Sequence, residues 1–294
     1  MSDSIRSASA VGTGANANLR AAAIVITAFA AFSGTDALVK LLSAEFRVPQ
    51  VTFLITLAAL LLVSGRAVFT RRLGELVPRQ PGLALIRALL LAGDTLLIHY
   101  AFAALPLAEA YVLAFLSPVL VAILAFVFLG ERLSLIGWLG VGLGFAGVAV
   151  ALRPGAVALN FGHMAAIGSA LLFALSLALL RKTRSEESDD ALVATMLVML
   201  TVTAFIVAMA TGGFDAIGPG ALLVAVLAGT LLYVGHALLV RAFRIGDASV
   251  VAAFQYSQIV WGCLYGAVLF GAPIETYTIV GGVIIIFSGW LVLK

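Results

Sequence analysis

Ten apolar runs divide this chain, and each is about as long as a bilayer is thick. They fall at about 20–40, 48–69, 82–104, 107–129, 133–152, 163–180, 190–210, 219–240, 248–270 and 275–293. A hydrocarbon core of ~30 Å takes roughly 20 helical residues. The runs lack the two-residue alternation of barrel strands, so helices are predicted. Only 11% of the residues are charged, against about 25% in a soluble domain. Lipid must therefore be the solvent for most side chains, and the fold class is an all-α integral membrane protein. No basic stripe interleaved with aromatics is present, so a nucleic-acid partner is not expected.

Loop charges orient the chain. With the N-terminus placed inside, thirteen of the 17 Lys and Arg fall on inner segments. Lys40, Arg47 and Arg153 fall on outer ones, and Arg87 lies within the third run. This is a strong positive-inside signal, and it predicts a multi-pass inner (plasma) membrane protein with both termini in the cytoplasm. Residues 1–18 are mostly Ser, Ala, Gly and Asn and are expected to be a disordered cytoplasmic tail. A cleaved signal is not expected, because the small-residue sites precede the apolar run.

A second regularity is a shift of 141 residues. It carries Ala101-Phe102 onto Ala242-Phe243, Val119 onto Val260, Gly130 onto Gly271, Gly140 onto Gly281 and Lys40 onto Arg181. Turns, charged ends and apolar runs keep this one register, so the chain is read as a unit that occurs twice. The halves are 19–153 and 154–294. Five spans per half is an odd number, so the second half enters the membrane upside down. Inverted repeats of this kind place a solute pathway at their interface.

The ten spans, the repeat and the turn Phe128-Leu129-Gly130-Glu131-Arg132 resemble the EamA-type drug/metabolite transporter superfamily. Residues 110–147 follow its pattern of apolar helix, Gly-Glu and glycine-rich helix. The echo Leu269-Phe270-Gly271 departs from it, with Ala272-Pro273 in place of Glu-Arg. Within the superfamily the chain is similar to the YddG-type exporters of aromatic amino acids. The resemblance implies a central cavity lined by helices one, three, four, six, eight and nine, with the others as outer support.

Polar groups at membrane depth are costly and face a cavity or a partner. Asp94 lies near the middle of the third span, two turns from Arg87. It is read either as a group for substrate or proton, or as half of a structural ion pair. Asp36 and Lys40 have helical ion-pair spacing. His99 is read as a helix–helix contact, and Glu109 and His163 as interfacial. The repeat aligns Thr95 with His236 and Ser117 with Gln258, so both copies carry polarity at matching depth. Gln255 and Gln258 form an amide stripe flanked by Tyr256 and Trp261, and Tyr233 and His236 are expected on a facing wall. Such a surface suits a small amphipathic solute. Pro118 is read as a mid-helix kink and candidate gating pivot. Arg66 is expected to snorkel towards the headgroups.

Enzyme readings fail on motif. Leu91-Ala92-Gly93-Asp94 is not an intramembrane aspartyl-protease signature, and Gly168-Ser169 is an ordinary packing pair. No metal-ligand spacing and no phosphate loop occur, so no metal or cofactor is expected. The lone Cys263 excludes an intrachain disulfide. The expectation is a secondary transporter that exports small metabolites, amino acids above all, by alternating access. An intramembrane enzyme, and a channel or scaffold, are the alternatives. Monomer and homodimer stay open.

Overall fold

The computed structural model describes residues 2–129, 134–152, 159–180, 189–245 and 254–292. Helices account for every long element: α1 (Ser2–Leu42), α2 (Val48–Phe69), α3 (Pro81–Ala104), α4 (Leu107–Ala114), α5 (Ser117–Leu129), α6 (Leu135–Leu152), α7 (Phe161–Leu180), α8 (Asp189–Ala210), α9 (Pro219–Ile245), α10 (Ser257–Phe270) and α11 (Thr276–Val292). Short 3₁₀ turns occur at Leu73–Leu76 and Phe254–Tyr256. Among the described residues, seven helical segments are long and apolar enough to cross a membrane, and α6 and α11 are apolar but shorter. Large apolar side chains stand exposed on the outside, Phe69 at 91% and Leu135 at 80% among them. That surface requires lipid, in which every backbone group must be satisfied within the protein. The crossing part of α1 begins at Leu19. The helix itself runs back to Ser2, over the stretch expected to be a tail.

The packing obeys one symmetry. α1 lies along α9, and α3 lies along α7; the 141-residue shift converts one pair into the other. It likewise converts α2–α9 into α8–α3, and it carries α2–α8 and α6–α11 onto themselves. At α6–α11 the contacts are reciprocal. Ser288 Oγ donates to Gly140 O at 2.7 Å, while Gly147 sits against Gly281. The shift takes Gly140 to Gly281 and Gly147 to Ser288. Each contact is thus the image of the other, as at any two-fold interface. The pairing is antiparallel, so the axis runs across the helices and the two halves are inverted.

The fourth span is not a continuous helix. α4 ends at Ala114 and α5 begins at Ser117, with 3₁₀-type bonds between them. At the equivalent place in the second copy, the Phe254–Tyr256 3₁₀ turn leads into α10. Pro118 therefore does not kink a helix interior as the sequence suggests. It is the second residue of α5, where its missing N–H is not needed. The second copy has Ile259 at the Pro118 position and carries a 3₁₀ turn just before it, so irregular backbone at this place does not require the proline. At this point the equivalent residues Phe115 and Tyr256 touch, ring centroids 5.2 Å apart.

α10 closes on Gly271 at φ 59°, with Gly271 N–H bonded to Ala267 O and Ala272 N–H to Gly266 O. A left-handed cap of this kind takes glycine without Cβ strain. The equivalent turn at Gly130 lies outside the described residues.

Candidate functional site

One end of the bundle carries Arg66, Arg71, Arg72, Arg79 and Arg241, and a cavity of about 260 Å³ opens there. Its walls are α2 (Val63, Arg66, Ala67, Thr70), the Leu73–Leu76 turn with Arg72 before it, α8 (Asp190, Val193) and α9 (Tyr233, His236, Ala237, Arg241). Tyr233, Ala237 and Arg241 recur every four residues along one face of α9, from deep to shallow. Arg66 and Tyr233 both line the cavity, one from α2 and the other from α9. His236 Nδ1 donates to Leu232 O at 2.9 Å, which leaves Nε2 as an acceptor. The Phe32 ring meets the imidazole edge-on at 4.9 Å. A liquid water takes roughly 30 Å³, so the space suits one small solute or several waters.

The opposite end is more closely tied, with only a smaller cavity of about 50 Å³ between the start of α4 and α10. Asp36 accepts a 2.6 Å hydrogen bond from the buried Tyr111, joining α1 to α4. Lys40 Nζ donates to Phe102 O at 2.9 Å and Leu105 O at 2.7 Å, so it caps the C-terminus of α3 where a cation suits the helix dipole. Phe270 covers the same ammonium at 5.6 Å. The expected Asp36–Lys40 pair is therefore not formed; each group has a better partner on another helix. Arg47 meets Thr211 O and Asp215, and Gln50 exchanges two hydrogen bonds with the Asp215 backbone. Glu109 and His163, read as interfacial, are 3.2 Å apart, with His163 only 3% exposed.

The 141-residue shift makes the contrast quantitative. It moves the cavity residues Val63, Tyr233 and Ala237 to Ala204, Ala92 and Leu96. These are buried together with Leu200 in one cluster of α2, α3 and α8. At two of the three positions the packed residue is the smaller, Ala204 against Val63 and Ala92 against Tyr233; at the third it is the larger, Leu96 against Ala237. Side-chain size therefore does not account for the void.

The remaining predicted residues fall elsewhere. Asp94 is half-buried in the α3–α7 seam and accepts from Ser169 Oγ at 2.5 Å. No Asp94–Arg87 ion pair occurs among the described residues, and Arg87 Nε is buried without a partner. Thr95 Oγ1 bonds back to Leu91 O within its own helix. Ser117 is buried at the α4–α5 break. Gln255 and Gln258 are half-buried beside the equivalent break, with no hydrogen-bond partner among the described residues. Trp261 supports the cluster of Ala21, Val25, Phe29 and Ala242. His99 does make the helix–helix contact expected of it, to Thr52 Oγ1 at 2.7 Å. Tyr233 and His236 thus share a wall, but Gln255 and Gln258 do not face them across this cavity. The residues that sequence reasoning missed are Arg66, Arg72, Glu75, Asp190 and Arg241. The only signal for them was that the inner loops were basic.

Residues 19–153 and 160–294 each match the EamA-like transporter family. The chain belongs to that family. As an EamA-like protein it is a membrane-embedded small-molecule transporter, not an enzyme. It is 24% identical over 274 residues to the riboflavin transporter of Vibrio cholerae, covering 92% of this chain and 91% of that protein. The pseudopaline exporter CntI of Pseudomonas aeruginosa is 27% identical, with 90% and 93% covered. A riboflavin transporter of Rhizobium johnstonii is 28% identical, but the chain spans only 63% of that relative's length. A solved crystal structure at 20% identity superposes with a TM-score of 0.63 over 92% of this chain and 96% of that one, which shows the shared fold.

Proposed function

We propose that this EamA-like transporter exports small metabolites across the cytoplasmic membrane by alternating access, with both termini in the cytoplasm. Aromatic and other net-uncharged amino acids are the leading cargo. The reading rests on one observation above the rest. An inverted repeat has two equivalent seams, and here one is open and lined with polar groups while its image is packed shut. Two copies of one fold that differ in this way are two states of one element, and exchanging them would carry a solute from one side to the other. The open end is the arginine-rich one, so this state faces the cytoplasm. Tyr233 and His236 meet the solute first, and Gln255 and Gln258 meet it at the junction of the copies.

The likeness to a riboflavin transporter and a pseudopaline exporter adds flavins and larger amino-acid-derived solutes to the panel. The test is counterflow of labelled solutes in proteoliposomes loaded with the same unlabelled compound. A carrier gives saturable exchange of an unchanged solute. Flux that rises linearly with concentration would mean a channel, and chemical conversion would mean an enzyme. Saturable exchange of flavins but of no amino acid would correct the cargo and leave the mechanism standing.

A further inference from the structure

The three arginines of the cavity differ in their partners. Arg72 pairs with Glu75 on its own turn at 3.8 Å. Arg66 and Arg241 have no carboxylate within 4.0 Å among the described residues. Arg66 stands on α2 and Arg241 on α9, so the two guanidinium groups flank the mouth. An arginine that only snorkelled would turn out along the lipid surface. Arg66 instead lines the cavity from α2, as Tyr233 does from α9. The walls between carry Val63, Ala67, Leu76 and Val193 beside Thr70, Tyr233 and His236. A guanidinium is a planar fork that fits carboxylate or phosphate with two parallel hydrogen bonds. Two such forks, with no carboxylate in contact among the described residues, form a receptor for an anion.

We propose that Arg66 and Arg241 receive an anionic group, carboxylate or phosphate, on the transported solute. This rests on the transporter reading and narrows it to solutes with an anionic head. A zwitterionic amino acid qualifies, with Glu75 and Asp190 near enough to receive its ammonium.

The experiment uses the full chain in phosphatidylcholine vesicles and measures competition against whichever labelled solute shows saturable counterflow. Matched competitors are 3-phenylpropionate against 3-phenylpropanol, and flavin mononucleotide against riboflavin. The anionic member is expected to compete at about tenfold lower concentration, the worth of one charge-assisted hydrogen bond. Arg66→Gln and Arg241→Gln should each bring the pair together, and Arg66→Lys should keep part of the preference. Size-exclusion profile and thermal stability of each variant check that it is folded. Equal competition by both members overturns the proposal. So does a preference that survives both glutamine variants, or one that appears only when anionic phosphatidylglycerol is added, which would assign the arginines to a lipid headgroup. Absence of saturable counterflow by any solute would instead overturn the transporter reading, and this proposal with it.

Discussion

Lys40, Asp36 and Asp94 show how single charges are kept at membrane depth. Each is held by a group distant in sequence: α3 carbonyls for Lys40, Tyr111 for Asp36, Ser169 for Asp94. The sequence carried the depth of these charges but not their partners. Helical spacing proposes only neighbours on the same helix, whereas the actual partners depend on how each helix is rotated. Arg66 was misread for the same reason, since snorkelling and cavity lining have one sequence signature. A proton-carrying role for Asp94 makes a clear prediction. Asn at 94 can still accept from Ser169 through its carbonyl, so Asp94→Asn should fold with stability within about 1 kcal/mol of wild type. Counterflow should persist, while uptake driven by an imposed pH gradient should vanish. A wild-type protein that ignores pH gradients rules the role out. Gln258→Ala should lower transport several-fold, on the order of one neutral hydrogen bond at about 1 kcal/mol, with folded yield unchanged. An equal fall in yield would make Gln258 a packing residue.

Helices were the most legible level, because apolar length and missing alternation leave little choice in lipid. The interruption before α5 was not, although a Ser-Pro pair marks it. The 3₁₀ turn that leads into α10 has no such pair, and its equivalence to that interruption becomes visible where Phe115 meets Tyr256 across the two copies. The glycines Gly140, Gly144 and Gly147 along α6 permit close approach of another helix, and at the α6–α11 contact the structure shows how close. A Cβ at Gly281 would lie 2.7 Å from Gly147 O and 3.1 Å from Ala151 N, both backbone atoms that cannot swing aside. With no hydrophobic force between helices in lipid, such contacts carry the association. Gly281→Ala should therefore destabilise by about 1–3 kcal/mol, seen as a lower midpoint in detergent thermal unfolding. Gly142→Ala, with nothing within 4 Å of the added carbon, is the control and should leave the midpoint unmoved. Similar midpoints for the two variants would show that the α6–α11 contact can relax.

At the scale of the whole molecule, the 141-residue shift does more than relate two halves. It states which residues should meet in the state that the structure does not occupy. Leu96 and Ala204 belong to one buried cluster at the closed end, and their images are Ala237 and Val63 on facing walls of the open cavity. If the halves exchange conformations, Val63 and Ala237 must come as close as Leu96 and Ala204 are now. A disulfide forms only when two Cα atoms lie within about 7 Å, so cysteine pairs report each state. In a background with Cys263→Ser, the Leu96→Cys/Ala204→Cys pair should oxidise readily in the present state. The Val63→Cys/Ala237→Cys pair should oxidise only as the protein turns over. Bound solute at the arginine-rich end should shift the two yields in opposite directions, because a ligand moves an equilibrium by its preference between states. Each bridge should arrest counterflow, and a reductant should restore it. If both pairs oxidised together, or if a bridged protein still transported, the two seams would not be alternatives and the open cavity would be a fixed vestibule.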